Sequence, residues 1–260
     1  MSYRVPDDLL AFANHLGDLA GGILRDKFAR PPAVETKADG SPVTDADHAV
    51  EQAVRAAING AHPGHGIIGE EFPAERKDAD YVWIIDPLDG TKEYVQGLPL
   101  FGPLIALCHR GRFVLGLAEQ PLLAHRWVGA DGHGTTRNGR PVHTRAGVAL
   151  ADAVISTMGY DTFCAGRHAV LSPLRSRARN TVTADSFYVF GLLAEGRVDL
   201  IVSDRFALHD YAALDVIVRN AGGTMTDWCG KPLGMTSAGT ILAAGSAALH
   251  AEARAALRPG

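Results

Sequence analysis

The chain has 260 residues, of which 47% are apolar and 21% charged. These proportions belong to a globular protein and exclude disordered, collagen-like and coiled-coil chains. Acidic residues outnumber basic ones by 29 to 25, a net charge of −4, which is the wrong sign for a nucleic acid polymer as main partner.

In chain order, the spacing of Leu9, Phe12, Ala13, Leu16, Leu19, Ala20, Ile23 and Leu24 predicts a helix over 7–29, ended by Pro31-Pro32. A polar loop from Glu35 to Pro42 leads to a second helix over 45–60, with Thr44 as N-cap and Gly60 as stop. The short apolar run Gly66–Gly69 precedes Glu70-Glu71, and 81–85 (YVWII) reads as a buried strand. Segments 104–109 and 113–118 form a predicted hairpin around His109–Arg112. A second hairpin is expected from Trp127-Val128 and the turn Arg137–Arg140. Beyond it, Val154-Ile155 reads as a strand and 166–177 and 186–196 as helices. A strand over 198–202, a helix over 210–221, strands at 224–227 and 240–243 and a helix over 246–257 complete the order. Two halves, 1–147 and 148–260, are expected to meet without a flexible linker.

Cys108, Cys164 and Cys229 are far apart and odd in number. They match neither a disulfide framework nor a metal-ligand spacing, so a cytoplasmic protein is expected. MSYRVPDDLL carries acids where a signal peptide has its basic region, and no apolar run reaches membrane-spanning length. The eleven histidines form no HxH or HxxxH pair, so no zinc site is expected.

The most informative segment is Ile84-Ile85-Asp86-Pro87-Leu88-Asp89-Gly90-Thr91. Two aspartates leave an apolar strand, and a proline between them should stop the ladder and force a turn. Their carboxylates then converge with the Leu88 carbonyl between them, a set of hard oxygen donors suited to Mg²⁺ or Mn²⁺. Gly90 and Thr91 would offer backbone N–H groups to phosphate oxygens. The alternative is an ordinary turn built from the usual Asp, Pro and Gly. Glu70-Glu71 adds two more acids nearby, which repel unless a cation neutralises them. Asp210, in Leu208–Ala213, sits where a helix should begin; as an N-cap it needs no ligand.

Gly69-Glu70-Glu71, Asp86–Thr91 and Asp210-Tyr211-Ala212-Ala213 stand in the order and spacing of the inositol monophosphatase superfamily of metal-dependent phosphomonoesterases. The resemblance runs through nearly the whole chain, including Lys37, Ser41–Thr44, Asp47 and Ala221–Gly223. It implies an α/β (α+β) fold: the layered αβαβα sandwich of the inositol monophosphatase and fructose-1,6-bisphosphatase type. It also implies roles. Glu70, Asp86, Asp89 and Asp210, with the Leu88 carbonyl, resemble the metal ligands for two or three Mg²⁺ ions, with Mn²⁺ as a substitute. Glu71 resembles the water-activating acid. Thr91, held by Asp47, resembles the hydroxyl that orients the attacking water. The amides of Gly90 and Thr91 resemble the phosphate-binding pair, and Lys37 a loop lysine beside the metals. The implied reaction is direct in-line attack of metal-activated water on a small phosphate monoester, in a homodimer with no membrane partner.

Several stretches resemble the histidinol-phosphate phosphatase branch, among them Gly97–Gly102, Glu119-Gln120-Pro121, Arg126–Gly129 and Thr226-Asp227-Trp228. Histidinol phosphate is the leading implied substrate. The pocket departs from that branch. Ser203 stands where an acid is usual seven residues before the last metal aspartate, with Asp204 one step later. Ser186 stands where another acid is usual, with Asp185 one step earlier. A single step along a strand should turn a side chain to the other face. His209 replaces a customary Trp or Tyr, and Glu119 is a further candidate for contacting substrate, as is Asp210 itself. Lys92-Glu93 resembles the DGTKE run of phosphatases acting on 3′-phosphoadenosine 5′-phosphate. Alternative substrates are therefore nucleoside monophosphates, 3′,5′-bisphosphates, and inositol or sugar phosphates. A non-catalytic binding protein on the same fold is the alternative from another class.

Overall fold

A computed structural model describes residues 3–38, 40–157, 168–182 and 186–257. The chain opens with α1 (Asp7–Phe28), the short strands β1 (Val34–Thr36) and β2 (Pro42–Thr44), and α2 (Asp45–Ala61). There follow β3 (Gly66–Gly69), β4 (Tyr81–Asp89), α3 (Thr91–Gln96), β5 (Gly102–His109) and β6 (Arg112–Gln120). Strands β7 (His125–Ala130), β8 (Gly134–Arg137), β9 (Arg140–Pro141) and β10 (Val154–Thr157) come next. Then α4 (His168–Arg177), β11 (Asn180–Val182), α5 (Tyr188–Ala194), β12 (Leu200–Ser203) and α6 (Leu208–Asn220) lead to β13 (Thr224–Thr226), β14 (Ile241–Ala244) and α7 (Ala247–Ala256).

Strands β3 to β9 form one sheet in sequence order; only β3 and β4 run parallel. A second sheet has the order β11-β10-β12-β14-β13. Strand β4 shows how five layers arise. Val82 and Ile84 face the core shared with α5 and α6, while Trp83 and Ile85 face the core shared with α1 and α2. That is the two-residue period of a sheet buried on both faces. Helices α1 and α2 cover the outer face with single stripes, Leu9-Ala13-Leu16-Ala20-Leu24 and Ala46-Val50-Val54-Ile58. Helices α4 and α7 cover the far face of the second sheet. The result is the expected αβαβα sandwich.

Helix α6 lies between the two sheets, and Tyr211 to Val218 are all buried. A helix apolar on every side needs such a position. Leu214, Val216, Ile217 and Val218 contribute about 1.5–3 kcal/mol each, which outweighs burying Asp215, whose carboxylate accepts from Arg219 Nε at 2.8 Å. Gly116 permits the close approach: a Cβ there would stand 2.1 Å from the Ala213 carbonyl oxygen.

Three expectations need correction. Pro87 does not end β4. The pairing Asp86↔Leu104, Asp89↔Gly102 places three steps opposite two, a β-bulge that absorbs the proline's missing donor and keeps the strand going. Helix α6 starts at Leu208, so Asp210 is not the N-cap but lies in the first turn, where it accepts from Ala207 N at 2.6 Å. The stretch read as a polar loop carries the β1–β2 hairpin. No helix among the described residues is long and apolar enough to cross a membrane.

Candidate active site

The bulge in β4 and the start of α6 bring three aspartates together. Oxygens of Asp86, Asp89 and Asp210 lie within 4.8 Å of one another. Each carboxylate is fixed by a backbone donor. Asp86 Oδ1 accepts from Leu88 N at 2.9 Å, Asp89 Oδ2 from Phe187 N at 2.8 Å and Asp210 Oδ2 from Ala207 N at 2.6 Å. Burial pushes all three carboxyls above the ordinary carboxylate range. The neighbouring acids, Glu70 among them, push further in the same direction.

Glu70 and Glu71 follow β3. Their loop is held by Glu51, a fully buried acid on α2 that accepts from Glu71 N at 2.8 Å and Phe72 N at 3.2 Å. Arg55, one turn later, donates to Glu51 at 2.8 Å, to Glu75 at 2.8 Å and to the Phe72 and Pro73 carbonyls. Lys37 Nζ stands 2.6 Å from both Glu70 Oε1 and Glu71 Oε1. Burial alone would lower its ammonium, but those hydrogen bonds outweigh burial and raise it. Glu71 is raised by burial despite Lys37.

Thr91 donates its hydroxyl to the Leu88 carbonyl at 2.9 Å and approaches Asp47 Oδ1 at 3.4 Å. Asp47 is buried, and its other oxygen accepts from Thr44 N and Oγ1 at 2.8 and 2.6 Å, closing a capping box on α2. Gly90, at φ +81°, makes the turn into α3; a Cβ there would meet the Leu100 carbonyl oxygen at 2.6 Å. Glu70, Asp89, Gly90, Thr91, Ser203, Asp204 and Asp210 line one cavity of about 460 Å³, together with Lys92, Glu93, Arg205 and Phe206.

The donor set fits a divalent cation. Three converging aspartates with Glu70 near them are hard oxygen donors, and a cation would offset first the burial and then the mutual repulsion that raise their carboxyls. Asp86, Asp89 and Asp210 are the side chains whose oxygens converge, and with Glu70 near them they would hold it.

The substrate candidates divide. Ser203 and Asp204 share the cavity wall, contrary to the expectation of opposite faces: β12 ends at Ser203, so strand alternation no longer governs Asp204. Ser186, next in sequence to Phe187, is buried and does not line the cavity; its hydroxyl accepts from Tyr188 N at 3.4 Å. Asp185 lies outside the described residues. Glu119 is a correction. It is buried on the other side of the first sheet, where Arg126 Nε donates to it at 2.7 Å and Arg25 stands 3.6 Å away, so it is a structural ion pair remote from the aspartates. Glu51 and Arg55 were not foreseen, although Asp47, Glu51 and Arg55 repeat at four-residue steps along one helix face.

The chain matches a family model described as the inositol monophosphatase family over residues 6–259. It is 36% identical to the bifunctional phosphatase IMPL2 of Arabidopsis thaliana over 95% of this chain and 74% of that protein. A histidinol-phosphatase of Mycobacterium tuberculosis is 35% identical, over 85% of this chain and 87% of its own. A solved inositol monophosphatase from Zymomonas mobilis superposes with a TM-score of 0.88 at 39% identity, covering 96% of this chain and 98% of that one.

Proposed function

We propose that this chain, which belongs to the inositol monophosphatase family, hydrolyses histidinol phosphate to histidinol and phosphate. The family is one of metal-dependent phosphatases, and the chain is a phosphoric monoester hydrolase. The reading of the site rests on the convergence of Asp86, Asp89 and Asp210 within 4.8 Å. These residues, with Glu70 and the Leu88 carbonyl, would hold two or three Mg²⁺ ions, or Mn²⁺ in their place. When bound, such ions neutralise the phosphate dianion, acidify water and stabilise the leaving alkoxide.

The chain's own groups do the positioning. Thr91, held by the Leu88 carbonyl and Asp47, orients the attacking water. Glu71, with its carboxyl raised by burial, accepts the proton that the water loses. The amides of Gly90 and Thr91 take phosphate oxygens. The water attacks phosphorus in line with the ester oxygen, and no covalent enzyme intermediate forms. A cytoplasmic homodimer belongs to the same proposal, and sedimentation should give twice the chain mass.

The substrate is carried by Asp204. This buried acid in the cavity wall supplies the negative charge that an amine or imidazole requires, although Ser203 lacks it. Lys92 and Arg205 in the same wall favour a second reading, a nucleoside 3′,5′-bisphosphate whose second phosphate they would pair. A panel of histidinol phosphate, inositol 1-phosphate, adenosine 5′-monophosphate and adenosine 3′,5′-bisphosphate separates the two. Histidinol phosphate should lead in kcat/KM by about tenfold or more, and Asp204→Asn should lower that value selectively. Preference for the bisphosphate, abolished by Arg205→Gln, would replace the first reading with the second.

A further inference from the structure

We infer that the cavity between α1 and β7 is a binding site for a free α-amino acid, held at its carboxylate by Arg25 and at its ammonium group by Glu119.

The cavity has a volume of about 540 Å³ and shares no lining residue with the one that holds the aspartates. Its size is that of a small-molecule site. One wall is α1, through Leu10, Asp18 and Arg25, and the other is β7, through Arg126, Val128 and Ala130. The two-residue period of β7 turns these last three side chains to one face of the sheet.

Two charged groups on this lining retain hydrogen-bonding capacity. Arg126 is not one of them: its Nε donates to Glu119 Oε2 at 2.7 Å, its Nη2 to Asp18 Oδ1 at 2.7 Å and its Nη1 to the Asn14 carbonyl at 3.2 Å. Glu119 is only 4% exposed, and both of its bonds from Arg126 fall on Oε2. Oε1 accepts a hydrogen bond from no described residue; Arg25 Nη1 stands 3.6 Å away, beyond hydrogen-bond reach. A Cβ on Gly21 would lie 2.3 Å from Oε1, so the glycine is what gives this oxygen room. Burial raises the Glu119 carboxyl even with Arg126 and Arg25 beside it, as expected of a buried oxygen that still lacks a donor. Arg25, about half exposed, donates a hydrogen bond to no described residue.

These two groups select the ligand by charge. A simple anion would meet Glu119 and Asp18, and a simple cation would meet Arg25 and Arg126. A zwitterion satisfies both signs. The ammonium group of an α-amino acid donates to Glu119 Oε1, and its carboxylate accepts from Arg25 in charge-assisted hydrogen bonds. Amine and carboxylate sit on adjacent carbons, so one molecule reaches partners that stand 3.6 Å apart. Leu10, Val128 and Ala130 then face the side chain, which favours an apolar amino acid.

The test is calorimetric titration of the intact protein with L-leucine, L-methionine and L-phenylalanine. At least one should bind with Kd below about 1 mM. Its N-acetyl derivative, which lacks the ammonium charge, and its methyl ester, which lacks the carboxylate, should each bind about tenfold more weakly or worse. Arg25→Gln should weaken binding by a similar factor. This variant is preferred to Glu119→Gln because it leaves the buried pair of Arg126 and Glu119 intact. Asp204→Asn, in the other cavity, should change Kd by less than about twofold. Absence of binding by all three amino acids up to about 10 mM overturns the inference. So does equal binding of the blocked forms, or indifference to Arg25→Gln. Loss of binding in Asp204→Asn would place the amino acid beside the aspartates and overturn it as well.

Discussion

Of the three clustered aspartates, Asp86 is the most deeply buried. It is 2% exposed, bonded to Leu88 N, and surrounded by Glu70, Asp89 and Asp210. Asp86→Asn removes a donor charge while preserving shape. Turnover should fall by at least about 100-fold, with near-ultraviolet circular dichroism unchanged; retained turnover would remove Asp86 from the metal set. Thr91→Val deletes the hydroxyl that bridges Leu88 and Asp47. It should lower kcat about 10- to 100-fold, with KM nearly constant, in initial-rate measurements. How much of this could be read beforehand depended on distance along the chain. Asp86 and Asp89 are three residues apart, so their convergence was legible in the sequence, although a turn and not a bulge was expected between them. Glu119 was misread because its partners, Arg126 on the next strand and Arg25 on α1, are neighbours only after folding. An acid in a strand carries no sign of whether an arginine or a ligand awaits it.

Helix α2 supplies a second set of constraints. Thr44 and Asp47 cap its start, while Glu51 and Arg55 tie its middle to the loop that carries Glu70 and Glu71. Glu51→Ala leaves Arg55 buried with one partner fewer and two backbone N–H groups without their acceptor. Unfolding in urea should show a loss of about 3 kcal/mol. Calorimetric titration should show weaker Mg²⁺ binding, although Glu51 itself touches no ligand. Unchanged Mg²⁺ affinity would mean that the Glu70 loop holds its shape without α2. Apolar periodicity gave both N-terminal helices within a residue or two, because each buries one stripe. Strand β4 was foreseen only to Ile85. A proline normally ends a ladder, and the compensating bulge depends on where β5 lies. The start of α6 was displaced by two residues for a similar reason: Asp is equally at home as N-cap or in the first turn, and Ala207 gives no capping signal.

The five-layer sandwich places the acids from β3, β4 and α6 at one cavity, so the folded chain concentrates like charges that the unfolded chain disperses. In the folded, metal-free protein Asp86, Asp89 and Asp210 bind protons more tightly than in the unfolded chain. Their contribution to stability is therefore present at low pH and is lost as pH rises above the ordinary carboxylate range through their raised values. Differential scanning calorimetry in EDTA should show Tm falling with pH across that range. Mg²⁺ at a hundredfold excess over its Kd should restore about 2.7 kcal/mol, on the order of 5–10 °C in Tm, with the gain growing as pH rises. A Tm indifferent to Mg²⁺ at neutral pH would argue against a cation site in the cluster. The layer order could be anticipated from the motif set. The wedging of α6 between two sheets was visible only as an apolar helix with no polar face. The most direct measurement is phosphate release from histidinol phosphate by wild type and Asp86→Asn, each with Mg²⁺ and with EDTA. Release by the wild type with Mg²⁺ alone, and at most about one-hundredth of it in the other three conditions, is expected. Release that survives EDTA, or that Asp86→Asn retains, would contradict hydrolysis at this carboxylate cluster.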